Sequence, residues 1–179
     1  MHKIQVALCV PVGIALLAVG VLAQAGEHRQ VHSAQLHASF NVAAAWHQKD
    51  CGDLANGDAC IAFQTGESES DIFYMWSKPL SLDAAMAADG LFEKDGKGGW
   101  IKSGRMGSDA AVAVSGKKWT GWRATADCGI QDENGMHDSG ECMTLFASIG
   151  KRTLVIETQG TVSNEDVLRI VVPSLIVDE

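Results

Sequence analysis

"TQGTVSNEDVLRIVVPSL", Thr158 to Leu175, is the stretch on which the fold turns. Ser163-Asn164-Glu165-Asp166 is a helix-start signature. Short polar side chains there can accept hydrogen bonds from the unpaired N–H groups of a first turn, and the helix dipole favours acids at that end. Val167, Leu168, Val171, Val172 and Leu175 then recur at helical spacing, so the segment predicts a helix with one apolar stripe, ended or kinked by Pro173. Just upstream, Leu154 and Ile156 alternate with Val155 and Glu157 after a Gly150-Lys151-Arg152 turn, which predicts a last strand leading into that helix.

Working back toward the N-terminus, the chain reads mainly as strands. Met143, Leu145, Ala147 and Ile149 alternate, and Trp122, Ala124 and Ala126 share one side of a run from Trp119 to Cys128. Ala110 to Val114 reads as a short strand. "DGKGG", residues 95–99, is turn chemistry; a nucleotide-binding glycine loop would need a strand before it and a helix after it. Leu82, Ala85 and Met86 fall on one helical face between a Ser81 cap and a Gly90 stop. Ile61 to Phe63 and Ile72 to Trp76 read as a hairpin tipped by Glu67 to Asp71. Ala34, Leu36, Ala38, Phe40 and Val42 alternate with polar residues as one leading strand, and Gly26 to Val31 reads as a frayed polar start. The fold class expected is α+β: an antiparallel β-sheet flanked by helices, with two local disulfides.

The first 25 residues read as a signal peptide rather than as part of the fold. Lys3 supplies the positive start, Ile4 to Leu22 is apolar except for Gln5, and Ala23-Gln24-Ala25 has the small-residue form of a cleavage site. An uncleaved anchor is the alternative, but Pro11 and Gly13 interrupt the run. Residues 26–179 are then a single exported domain, periplasmic or secreted. Lys3 is the only charged residue lost, so the net charge moves from −8 to −9. Such an acidic domain is ill suited to nucleic acid, suits a basic protein partner, and has no membrane role once the signal is cleaved.

Cys51, Cys60, Cys128 and Cys142 remain, an even set for two disulfides in an oxidising compartment. Three pairings exist, and the local ones, Cys51–Cys60 and Cys128–Cys142, are the most economical because each closes a polar, Gly/Asp-rich loop. Chain-entropy estimates give each roughly 3 kcal/mol. No C-x₂₋₄-C pair favours zinc.

The order of elements resembles the PsbP-type fold, named for a photosystem extrinsic subunit and shared by exported bacterial proteins. Three features carry it: a leading strand ending near a Trp (Phe40 to Trp46), a mid-chain helix after a hairpin, and the closing "TQGTVSNEDVLRIVVPSL". The two disulfide loops are additional. This resemblance implies three layers of sheet and helices, and a binding role without catalysis.

The segment "DCGIQDENGMHDSGEC", Asp127 to Cys142, holds five carboxylates, one histidine and no Lys or Arg. It reads as an acidic loop held at its base by a disulfide. Asp132, Glu133, Met136, His137 and Asp138 are its candidate partner-binding residues, with Asp53 and Asp58 of the Cys51–Cys60 loop as a second set. Pinning a loop lowers the ordering cost of association. Irregular calcium binding by Asp132, Asp138 and Glu141 is the competing use, although the spacing departs from a helix–loop–helix calcium loop. No cofactor and no defined metal site is expected; His28, His32 and His37 do not share a helix.

Catalytic templates are missing. There is no G-x-S-x-G, no H-E-x-x-H and no cysteine left free as a nucleophile, so an enzyme is not expected. Trp119 and Trp122, near Lys117, Lys118 and Arg123, read as core rather than as stacking platforms. The functional expectation is a binding protein that neutralises a basic partner: an inhibitor or immunity-type protein against a cell-wall hydrolase or secreted toxin. The alternative is a small-ligand or metal-binding periplasmic protein of the PsbP-like type.

Overall fold

The computed structural model describes residues 27–52, 59–104, 107–132 and 135–178. The expected signal segment, Asp53, Asp58 and Glu133 lie outside the described residues. Within them the chain is mostly antiparallel sheet with little helix.

Strands β1 (His28–Ser33) and β2 (Ala38–Ala43) form a hairpin. Strands β3 (His47–Lys49), β4 (Cys60–Gln64) and β5 (Ile72–Lys78) precede a short helix α1 (Leu82–Ala87). Next come β6 (Phe92–Lys94), β7 (Trp100–Ser103), β8 (Ser108–Ala110) and β9 (Val112–Gly116). Two long strands follow, β10 (Trp119–Asp132) and β11 (Gly135–Ile149), then β12 (Arg152–Gln159). The chain closes with α2 (Thr161–Asp166), a π turn (Val167–Val171), α3 (Val172–Ser174) and β13 (Ile176–Val177). The main sheet has the order β3-β4-β5-β12-β11-β10-β9, and two three-stranded sheets, β1-β2-β13 and β6-β7-β8, accompany it.

The period-2 pattern of β11 and β12 explains why both faces of the main sheet carry a core. Met143, Leu145 and Ala147 point to one side with Leu154 and Ile156, where Phe40, Val167, Val171 and Leu175 cover them. Phe146 and Val155 point to the other side and meet Ala85, Met86, Phe92 and Trp100. Alternate residues of two central strands therefore feed two cores, as the two-residue repeat of a strand requires. Trp119 is core, as expected, and its indole N–H donates to the Leu175 carbonyl at 3.2 Å.

Several expectations are corrected. The leading strand Ala34–Val42 is broken: residues 34–37 turn, with His37 at φ 51°, and the polar start His28–Ser33 pairs with β2 instead of fraying. Ladder bonds to β2 hold this largely exposed strand, helped by Val31, which packs on the core, and by Arg29, which lies over the Phe63 ring. Ala110–Val114 divides between β8 and β9, which belong to different sheets. Ser81 precedes α1 as expected, but its hydroxyl makes no capping bond.

The terminal helix starts at Thr161, two residues before the expected cap. Gly160 at φ 80° lets the chain swing sharply out of β12. Ser163 and Asn164 are consequently buried inside the helix, with the Ser163 hydroxyl 2.6 Å from that of Thr65. Pro173 has no N–H for the Arg169 carbonyl, and the helix widens to a π turn just before it. Ser174 ties the helix end to β2: its hydroxyl donates to the Ile170 carbonyl at 2.7 Å and accepts from the Asn41 N–H at 2.8 Å. β12 is not the last strand, because β13 follows and pairs with β2.

Both local disulfides are present. The Cα atoms are 6.3 Å apart for Cys51–Cys60 and 5.7 Å for Cys128–Cys142. Disulfides persist in oxidising compartments, which places the domain outside a reducing cytosol. No helix among the described residues is long and apolar enough to cross a membrane.

Candidate functional site

The acidic segment is not the loop expected from its composition. Strands β10 and β11 run on through it as a two-stranded ribbon, paired rung by rung to Asp132 and Gly135. Their neighbours stop earlier: β9 pairs with β10 only as far as Arg123, and β12 pairs with β11 only from Thr144. Beyond those points the two strands have only each other as ladder partners among the described residues. From Cys128 to Asp132 the ribbon reaches about 14 Å at the usual strand rise. Cys128 and Cys142 clamp its root, beside a register shift between Cys128 and Gly129. A bulge of this kind twists the strand and re-aims what lies beyond it.

The expected partner-binding residues distribute along this ribbon. Asp132 faces Gly135 at the far end, Met136 faces Gln131, His137 faces Ile130 and Asp138 faces Gly129. The calcium alternative fails on this geometry. Glu141 stands opposite Asp127 at the root while Asp132 is at the far end, about 17 Å away along the strands. Calcium ligands must all lie within about 2.6 Å of one ion. Among the described residues no group of three or more His, Cys, Asp or Glu side chains is placed to hold a metal. His32 instead shares a 2.8 Å hydrogen bond with Ser39.

A second constellation, at the ribbon's root, falls outside the residues singled out by the sequence. Lys102 on β7 is only 6% exposed, and its ammonium donates to the Thr144 hydroxyl at 2.6 Å. Thr144 is itself buried and donates to the Glu157 carboxylate at 3.4 Å. Thr144 and Glu157 are direct cross-strand neighbours on the face that carries Phe146 and Val155. Burial pushes the Glu157 carboxyl up against the opposing pull of Lys102, and burial pushes the Lys102 amine down. Tyr74, opposite Glu157 on β5, is raised by burial and then by the nearby carboxylate. A cavity of about 180 Å³ lies against this cluster, lined by Leu91, Lys102, Thr144, Glu157, Gln159 and the Cys128–Cys142 pair among others. The sequence signal is present but weak: Glu157 occupies an inward position of a strand, "TLVIETQ", where the alternation calls for an apolar residue.

No known protein-family model matches the chain, and no curated protein sequence is similar to it. Among solved structures it is similar to a protein from Bacteroides thetaiotaomicron, with 11% identity and a TM-score of 0.52. That match covers 84% of this chain and 48% of the other, so the chain spans about half the length of that relative. It is also similar to the cyanobacterial PsbP of Synechocystis, with 10% identity and a TM-score of 0.49, over 96% of this chain and 98% of that one. At these identities the likeness concerns the fold alone.

Proposed function

We propose that the protein is a periplasmic or secreted binding protein that captures a basic partner through its acidic ribbon, as an inhibitor or immunity-type protein does toward a cell-wall hydrolase or toxin. One observation carries this reading: a disulfide-clamped, two-stranded ribbon that outruns its sheet, in a segment with five carboxylates and no Lys or Arg. A clamped ribbon is ordered before it binds, which removes part of the entropic cost of association. Its uniform charge favours a basic cleft and speeds encounter with one. The two elements α1 and α2–α3, on opposite faces of the main sheet, complete a PsbP-like three-layer arrangement in this reading.

The test is capture from a periplasmic extract by the tagged mature chain, with the retained protein identified by mass spectrometry and its binding then measured in purified form. Asp132→Asn, Glu133→Gln and Asp138→Asn together should weaken that binding by at least about tenfold and flatten its salt dependence. Unchanged affinity and salt dependence would reject the reading.

A further inference from the structure

We propose that the cavity between Lys102 and Glu157 is a binding site for a small zwitterion of the α-amino-acid class, its carboxylate on Lys102 and its ammonium on Glu157. This site is independent of the ribbon's partner. It lies beside the clamp, with the Cys128–Cys142 pair in its wall.

Size comes first. A volume of about 180 Å³ equals roughly six waters at their liquid share of about 30 Å³ each. That is below the roughly 300–1,000 Å³ of sites for drug-sized ligands, so the walled volume matches a molecule of a few heavy atoms.

Charge comes second. An ammonium carries three donor hydrogens, and Lys102 spends one on Thr144, its only hydrogen-bond partner among the described residues. Among the described residues, the carboxylate of Glu157 takes only the long hydrogen bond from Thr144. The two charges are not in direct contact; the Thr144 hydroxyl bridges them. Charges withdrawn from water are costly unless paired, and here the buried Lys102 and the half-buried Glu157 each keep unused hydrogen-bonding capacity beside an open volume. A zwitterion supplies both missing partners at once and leaves no net charge behind. A lone carboxylate or a lone amine satisfies one end and leaves the other.

Geometry fixes the two charges relative to each other. Thr144 and Glu157 are locked by direct cross-strand pairing, and Lys102 is held over the Phe92 ring at 5.9 Å by the β6–β7 hairpin. The displaced ionisation of Lys102 and Glu157 is what a buried amine and a half-buried carboxylate produce when they are incompletely paired.

The test is titration calorimetry of the mature full-length domain at pH 7 with glycine, L-alanine and L-serine, and with acetate and ethylammonium as half-ligands. Saturable binding of at least one amino acid is expected, at least about tenfold tighter than either half-ligand. Lys102→Met and Glu157→Gln should each weaken it by at least about thirtyfold, with folding verified by near-ultraviolet circular dichroism. Amide shift mapping on the unmodified protein needs no variant: shifts should centre on residues 102, 144 and 157–159. The proposal is overturned if no amino acid binds, if acetate alone binds as tightly, or if the shifts fall elsewhere.

Discussion

Thr144 and Glu157 face each other across β11 and β12, and the Thr144 hydroxyl, 2.6 Å from the Lys102 ammonium and 3.4 Å from the Glu157 carboxylate, links a buried amine to a half-buried carboxylate at the root of the acidic ribbon. Burial raises Glu157 above its ordinary value of 4.5. The folded state therefore binds this proton more tightly than the unfolded chain does. Its contribution to stability is fully present below about pH 4.5 and is lost as pH rises through the raised folded value. Lys102, lowered from 10.5, has the opposite sign: its burden is present at neutral pH and eases as pH climbs toward 10.5. Urea unfolding of Glu157→Gln should lose less stability than the parent between pH 4.5 and 7. Equal losses would show that Glu157 is not held in an unfavourable charged state.

Phe146 fills the centre of the second core, fully buried and 5.2 Å edge-on from Phe92. Phe146→Ala should cost about 3–5 kcal/mol in denaturant unfolding, since the cavity adds to the lost transfer energy. Val112→Ala, at a residue 53% exposed on edge strand β9, should stay within about 0.5 kcal/mol.

Gly121 sits on β10 opposite Ala147, where an added Cβ would lie 1.8 Å from the Phe146 carbonyl oxygen. The obstacle is backbone of a central strand, so no side-chain rotation relieves it. Gly121→Ala should destabilise by about 3 kcal/mol or more by thermal unfolding. Gly52→Ala, with open space around it, tests only backbone conformation at φ 55° and should cost about 1 kcal/mol.

The clamp should matter more for recognition than for the core. Cys128→Ser with Cys142→Ser frees a segment that has no other ladder neighbours among the described residues, at a cost of about 3 kcal/mol in the chain-entropy model. The amides of residues 129–132 and 135–140 should then exchange hydrogen much faster, while those of β12 stay protected. Loss of protection in both would mean that the ribbon and sheet unfold as one unit.

The central strands were legible because Met143 to Ile149 and Leu154 to Ile156 keep the two-residue alternation of a sheet buried on both faces. The ribbon was not, because Gly129, Gly135, Gly140 and the acids are poor strand formers; cross-strand pairing and the disulfide decide their conformation. β1 was illegible for a related reason: its residues are largely exposed and lack a repeating apolar face, and its ladder with β2 is what mainly makes it a strand. The partnership of Lys102 with Glu157 left almost no mark, since β7 meets β11 and β12 only through tertiary packing.

Hydrogen exchange of the protein with and without a partner captured as proposed addresses the proposed recognition role most directly. Slowed exchange on binding should centre on residues 129–132 and 135–140 and should disappear at high salt. Protection confined to other surfaces, with the ribbon unchanged, would contradict a role for the ribbon in capture.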